Sequence, residues 1–245
     1  MSSTSWRELS KTLPQFVPDF TIQPRQSALI VVDMQNYGVR EGIALGRIFE
    51  DQYPDVARYF LPRVKQLVIP NIQRLIQFYR DHGLRIIFLT VGPELSDGSD
   101  LFQRRRRRDE RMPKGETSHF PRGTQLHAII EELAPLPGEL VINKNSMGAF
   151  NSTNIDQILR NMRTTGLVIT GVGTNACVDT TARDAADRGY DAYLIEDACA
   201  GIHPLLHEAT LLSFSIQSGK VQTTEETIVE FKQALEADLV YSGRG

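Results

Sequence analysis

Apolar residues along this chain fall into short unbroken runs, separated by longer stretches in which they recur every three or four positions. The first run, SALIVVDMQ at residues 27–35, is β-branched and almost wholly apolar until it meets an acid. That is the pattern of a strand buried on both faces of a parallel sheet. VKQLVIPNIQRLIQFYRDHG then places apolar positions at helical spacing and stops at Gly83, with Pro70 expected to kink or divide the helix. LRIIFLTVG reads as a second buried strand. After a long polar stretch the alternation resumes with the strand ELVINK, the helix TNIDQILRNMRTTG, the strand LVITG, the helix ACVDTTARDAADRG, the strand YDAYLIED and the helix LHEATLLSFSIQSG. Alternating strands and helices predict an α/β fold, a three-layer α/β/α sandwich around a mostly parallel, Rossmann-like central sheet. Residues 1–26 hold Ser, Thr and prolines without steady periodicity and read as an extended N-terminal arm that packs on a neighbour; residues 27–245 read as one domain.

Composition narrows the function classes. A chain of 245 residues, 41% of them hydrophobic, suits one domain with a sizeable core. With 27 basic and 30 acidic side chains the net charge is -3, so no global field recruits nucleic acid or an anionic membrane. Cys177 and Cys199 are the only cysteines, too few for a disulfide scaffold, and the N-terminus lacks the basic start and apolar run of a signal peptide. No apolar run approaches the ~20 residues that cross a bilayer. Together these features predict a cytoplasmic protein with reduced thiols. One local exception is RRRRRDERMPK, Arg104 to Lys114. Asp109 and Glu110 follow the arginines at once and no aromatic residues interleave, which favours a solvated loop or helix face, or an oligomer contact, over a nucleic-acid surface.

In parallel sheets ligands bind at the carboxyl ends of the strands, near the point where strand order reverses. Three reactive side chains fall at such ends: Asp33 after the first strand, Lys144 at the end of VINK, and Cys177 at the start of the helix after LVITG. A cysteine at a helix start faces unpaired amides and the positive end of the helix dipole, which favours its thiolate. A nearby lysine lowers the thiol pKa further, and an aspartate takes the thiol proton and later delivers it to a leaving group. Gly171 and Gly173 let the preceding turn aim backbone N–H groups at a substrate carbonyl, as an oxyanion hole requires. The same turn, GVGTNA, also matches a dinucleotide-binding fingerprint, with Glu196 twenty residues beyond Ala176, the pattern of an NAD-type oxidoreductase. That fingerprint normally lies in the first βαβ unit, whereas this one follows three strands and leaves the trio without a role. A third reading, a non-catalytic binding or scaffold protein, would leave each of the three residues free to be lost.

The pieces ALIVVDMQN, VINKNSMGAFNSTNID and TGVGTNACVDTTARDAADRGYDAYLIEDA resemble, in order and in placement at strand ends, the isochorismatase-like cysteine hydrolases, which include nicotinamidases and N-carbamoylsarcosine, ureidoacrylate and biuret hydrolases. The resemblance runs from about Ser27 to the end of the last helix. It implies Asp33, Lys144 and Cys177 as a catalytic triad, a cis peptide at Val172–Gly173, and an oxyanion hole from the amides of Gly173 and Cys177. It further implies a C–N amidohydrolase, working through a thioester on a small amide, ureide or carbamoyl compound, without a cofactor, and assembling as a homodimer or homotetramer. The segment holding the arginine run often contributes to the substrate pocket or subunit contact in such relatives, so that an arginine could bind an anionic group. The metal cluster of nicotinamidases is not matched, because TVGPELSDGSD has no histidine and the others, His82, His119, His127, His203 and His207, are mostly scattered. His203 and His207 read as a helix start around Pro204. The substrate pocket is expected near Met34 to Tyr37, Met147 to Phe150, Asn175 and the loop before the helix LHEATLLSFSIQSG, with Tyr37, Phe150 and Asn175 as substrate contacts, suiting a small, neutral, polar molecule. Gln217 falls where biuret hydrolases carry a substrate-binding glutamine, which tilts the expected substrate toward a biuret or ureido type.

Overall fold

Each apolar run becomes a strand of one six-stranded sheet in this computed structural model, which describes residues 5–112, 117 and 120–242. His119, and Pro113 and Lys114 at the end of the arginine-rich segment, lie outside the described residues. The strands are β1 (Ser27–Val32), β2 (Arg85–Val91), β3 (Leu140–Lys144), β4 (Gly166–Val172), β5 (Asp191–Ala200) and β6 (Lys220–Gln222), in the order β3-β2-β1-β4-β5-β6. Every pairing is parallel. The two central strands, β1 and β4, are buried at every position, because helices cover both faces.

The helices are α1 (Trp6–Lys11), α2 (Asn36–Val39), α3 (Ala44–Gln52), α4 (Pro54–Arg63), α5 (Ile69–Asp81), α6 (Gln103–Asp109), α7 (Ala149–Ser152), α8 (Ile155–Asn161), α9 (Asp179–Asp187), α10 (Pro204–Gln217) and α11 (Thr224–Ser242). The two-residue period of β1 sorts its side chains between two cores. Leu29 and Val31 pack with Ile72 and Leu75 of α5 and Phe231 of α11; Ala28, Ile30 and Val32 pack with Leu159 of α8, Ala182 of α9 and Phe214 of α10. These are the three layers the alternation implies. Pro70 follows a π turn at Val64–Val68 that divides α4 from α5, as expected of a residue without an N–H to continue the ladder.

The N-terminal arm differs from the extended arm expected. Ser5 and Glu8 form a capping box at the head of α1. Arg7 of that helix then donates from Nη2 to Glu196 Oε1 at 2.9 Å and to Glu226 Oε2 at 3.0 Å, so the arm docks on its own domain. Among the described residues no helix is long and apolar enough to cross a membrane.

Strand order reverses between β1 and β4. From β1 the chain builds outward through β2 and β3, then returns to lay β4 on the other side of β1. Their register pairs Val32 with Gly171. A Cβ on Gly171 would stand 2.1 Å from the Val32 carbonyl oxygen, and its φ of 118° suits only glycine. Gly171 thus serves the close approach of two strand ends, which brings the residue after β1 beside the turn after β4.

Candidate active site

Asp33 is the residue after β1, and its φ of 54° places a non-glycine residue in the left-handed region. Such strain persists only where the surroundings enforce it; here the Asp33 N–H donates to Leu89 O at 2.9 Å and its carbonyl accepts from Gln35 N–H at 2.8 Å. The Asp33 side chain is 6% exposed. Lys144 is fully buried, and its Nζ donates to Asp33 Oδ2 at 2.9 Å and to the Ser146 carbonyl at 3.4 Å. Burial opposes the ammonium charge, but Asp33, Cys177 and Tyr37 together outweigh it and hold the Lys144 pKa above its usual value. The other carboxylate oxygen, Asp33 Oδ1, is buried without a hydrogen-bond partner. An unsatisfied acceptor inside a site is unusual enough to call for a role.

Cys177 is half-buried in the turn Thr174–Val178, which precedes α9 and is wound as a π turn. Both Asp33 and Lys144 act on it. Burial, and then the Asp33 charge, push its thiol up to about 11, against the lowering effect of Lys144 and Arg105. The helix start thus does not produce the resting thiolate that the sequence suggests. Desolvation beside a carboxylate wins, since the Lys144 charge is already shared with Asp33. The resting pair is a thiol beside a carboxylate.

The turn itself departs from expectation. No peptide among the described residues is cis, so Val172–Gly173 is trans. The Gly173 N–H donates to the Ala200 carbonyl at 2.8 Å, so in this conformation it is not an oxyanion donor. A register shift between β4 and β5, where Ile169 pairs with Leu194 but Gly171 pairs with Cys199, delivers Ala200 to that amide. Behind the turn runs a network that the sequence did not reveal. Arg63 donates to Cys199 O at 3.0 Å, to Glu196 O at 2.7 Å and to His207 Nε2 at 3.0 Å. Because arginine only donates, Nε2 is the acceptor, and Nδ1–H bonds Thr174 Oγ1 at 2.9 Å. His203 caps α10, its Nδ1 accepting from Leu205 N–H at 3.2 Å.

Cys177 opens into a cavity of about 770 Å³, whose lining includes Ala176, Met147 and Ile202. Part of the cavity wall is as expected: Met147, Ile202 in the loop before α10, and the arginine-bearing segment. Arg104, Arg105 and Arg108 of α6, with Arg111 just beyond, face into the cavity. Leu45, Ile48 and Phe49 of α3, with Tyr53 and Val56, form an apolar stretch. Tyr37 is buried and takes part indirectly: its hydroxyl accepts from Arg105 Nη2 at 3.0 Å. Phe150 points into the core, its ring centre 6.0 Å from that of Tyr190, and Met147 three residues earlier lines the cavity instead. Asn175 is exposed on the turn next to Ala176. Gln217 is not part of the site. It ends α10, which begins at Pro204 beside the cavity's Ile202 and runs back for fourteen residues, or about 21 Å, to the start of β6; there Gln217 shares a surface cleft with Arg183 and Asp187. Glu196, the acid of the fingerprint reading, is held by Arg7. Among the described residues no three His, Cys, Asp or Glu side chains cluster as metal ligands.

Comparison with known proteins agrees with this geometry. The family model of the isochorismatase domain matches residues 27–226. Ureidoacrylate amidohydrolase RutB from Rhizobium rhizogenes is 29% identical over 242 residues, 93% of this chain and 92% of the relative. RutB from Agrobacterium fabrum is 29% identical, over 91% of this chain and 97% of the relative. Among solved structures, a cysteine hydrolase from Pseudomonas syringae pv. phaseolicola superposes with a TM-score of 0.74 at 25% identity, over 89% of this chain and 98% of that one. N-carbamoylsarcosine amidase from Thermoplasma acidophilum shares the fold, with a TM-score of 0.59 at 24% identity over 81% of this chain and 96% of its own. A parallel sheet with a cysteine turn at its switch point, matched across most of the chain by that family model, means that this protein belongs to the isochorismatase-like amidohydrolase family.

Proposed function

We propose that the chain hydrolyses a C–N bond of a small amide, ureide or carbamoyl compound through a thioester on Cys177. The observation that carries this reading is the buried Lys144–Asp33 pair, whose second carboxylate oxygen has no partner and whose charges act on the thiol. Asp33 Oδ1 accepts the thiol proton as sulfur bonds to the substrate carbonyl carbon. Lys144 offsets the charge passed to sulfur and to the carbonyl oxygen, which the Cys177 amide also stabilises. The C–N bond breaks as Asp33 returns the proton to the departing nitrogen, releasing ammonia or an amine. Water next attacks the thioester and gives a proton to Asp33; the C–S bond breaks, the acid product leaves, and the proton returns to sulfur. The RutB relatives, named for action on a ureide, support a substrate of this chemical class.

Replacement of Cys177 by Ala tests the reading. Ammonia release should fall at least about a thousandfold, while circular dichroism and thermal midpoint stay those of the wild type. Turnover within about tenfold of wild type would overturn the mechanism.

A further inference from the structure

Helical spacing divides the arginine run. Arg104, Arg105 and Arg108 face the Cys177 cavity together with Arg111, whereas Arg106 and Arg107 do not line it. Arg105 is 7% exposed and fixed in place, its Nη2 bonded to the Tyr37 hydroxyl and its guanidinium carbon 5.7 Å from the centre of the Tyr37 ring. No Asp or Glu is among the described residues that line the cavity. The remaining wall is apolar, from Leu45, Ile48 and Phe49 of α3 to Tyr53 and Val56. A volume of about 770 Å³ lies within the range of pockets that enclose drug-sized ligands and greatly exceeds the needs of a biuret-sized molecule. Three chemistries therefore meet in one space: a thiol, a guanidinium cluster and an apolar surface.

We propose, building on the reading of Cys177 as nucleophile, that the substrate is a ureido or amido acid with an apolar arm, such as an N-carbamoyl derivative of an apolar amino acid. Its scissile carbonyl lies at Cys177, its carboxylate meets Arg105 and Arg108, and its apolar group packs on the α3 and α4 wall. Planar guanidinium groups match carboxylates in bidentate geometry, and a carboxylate between two neighbouring arginines also relieves their mutual repulsion. Burial, and then the charge of Arg105, hold the Arg108 pKa below its usual value. With three different groups on one carbon each meeting a different wall, the site distinguishes enantiomers.

The test compares ammonia release, as kcat/KM, from both enantiomers of N-carbamoylphenylalanine, from N-carbamoylglycine, from (2-phenylethyl)urea and from biuret. The glycine derivative lacks the apolar arm and the phenylethyl urea lacks the carboxylate. One enantiomer of N-carbamoylphenylalanine should exceed both of them, and biuret, by at least about tenfold. Arg108→Gln should raise KM for that compound and shrink its lead over (2-phenylethyl)urea, and Arg108→Lys should recover part of the lead. Equal or faster release from biuret or from (2-phenylethyl)urea, still abolished in Cys177→Ala, overturns the substrate class and leaves the cysteine mechanism standing. Release that survives Cys177→Ala overturns both. Silence toward all five compounds, with Cys177 still alkylated by iodoacetamide, overturns the substrate class alone.

Discussion

Lys144 shows what one buried charge commits a fold to. Its ammonium is fully buried, and its carboxylate partner is nearly so. Replacing one member of such a pair strands the other charge in a poorly solvated place, at a cost of about 3–5 kcal/mol. Lys144→Met should therefore lower stability by that order in urea unfolding as well as abolish turnover, while the double variant with Asp33→Asn should regain much of the stability and none of the activity. A Lys144→Met protein as stable as wild type would mean that Asp33 is solvated or protonated in the fold. The thiol gives a second expectation at this scale. With Cys177 pushed up to about 11, the thiolate fraction grows as pH rises toward that value, so iodoacetamide labelling of the free protein should be slow at pH 7 and accelerate steadily to pH 10. A plateau already reached by pH 7 would show a resting thiolate instead. The identities of Asp33, Lys144 and Cys177 as candidates were legible because each ends or follows an apolar run. Phe150 and Gln217 were misplaced because sequence position says which residues are near a site in the chain, not which way an element turns them.

Among the elements, the β1–β4 junction sets the geometry. Gly171→Ala would drive a methyl group into the Val32 backbone at a φ that alanine avoids, and should destabilise the protein by more than about 3 kcal/mol or prevent folding, measured by thermal and urea midpoints. Gly138, whose φ is also positive but whose Cβ direction is open, should lose only about 1 kcal/mol on the same change; equal losses at the two positions would separate the junction from the packing assigned to it. Five of the six strands, and helices α5, α8, α9 and α10, were legible from periodicity, because burial on one face or two leaves a pattern; the three-residue, partly buried β6 carries none. Two features of the site were not legible either. The Val172–Gly173 peptide and its amide depend on the irregular pairing of β4 with β5, a cross-strand register that neither segment encodes alone. The arginine run gives no apolar period at all, so that its division into an inward and an outward face became visible only once α6 was placed beside the cavity.

Across the whole molecule, the Arg63–His207–Thr174 network ties α4, β5, α10 and the nucleophile turn together. Burial, and then the Arg63 charge, push His207 down to about 3. Ordinary imidazole titrates near ~6.5, so below that pH the unfolded chain takes up a proton that the folded one refuses. Stability from this group is complete above about 6.5 and is lost as pH falls toward about 3. Urea midpoints measured from pH 7 to pH 4 should fall more steeply for wild type than for His207→Gln, and identical slopes would remove His207 as the source.

What the sequence determined by itself is the layered α/β architecture, the family, and the strand ends at which a carboxylate, an ammonium and a thiol stand, because burial periodicity and short motifs are local and survive in one dimension. What only the tertiary structure decided is the state of that thiol, the amide taken by Ala200, the support from His207 and the arginine-lined wall. Each of these depends on desolvation or on contacts between segments far apart in the chain, and such quantities do not exist until the chain has folded.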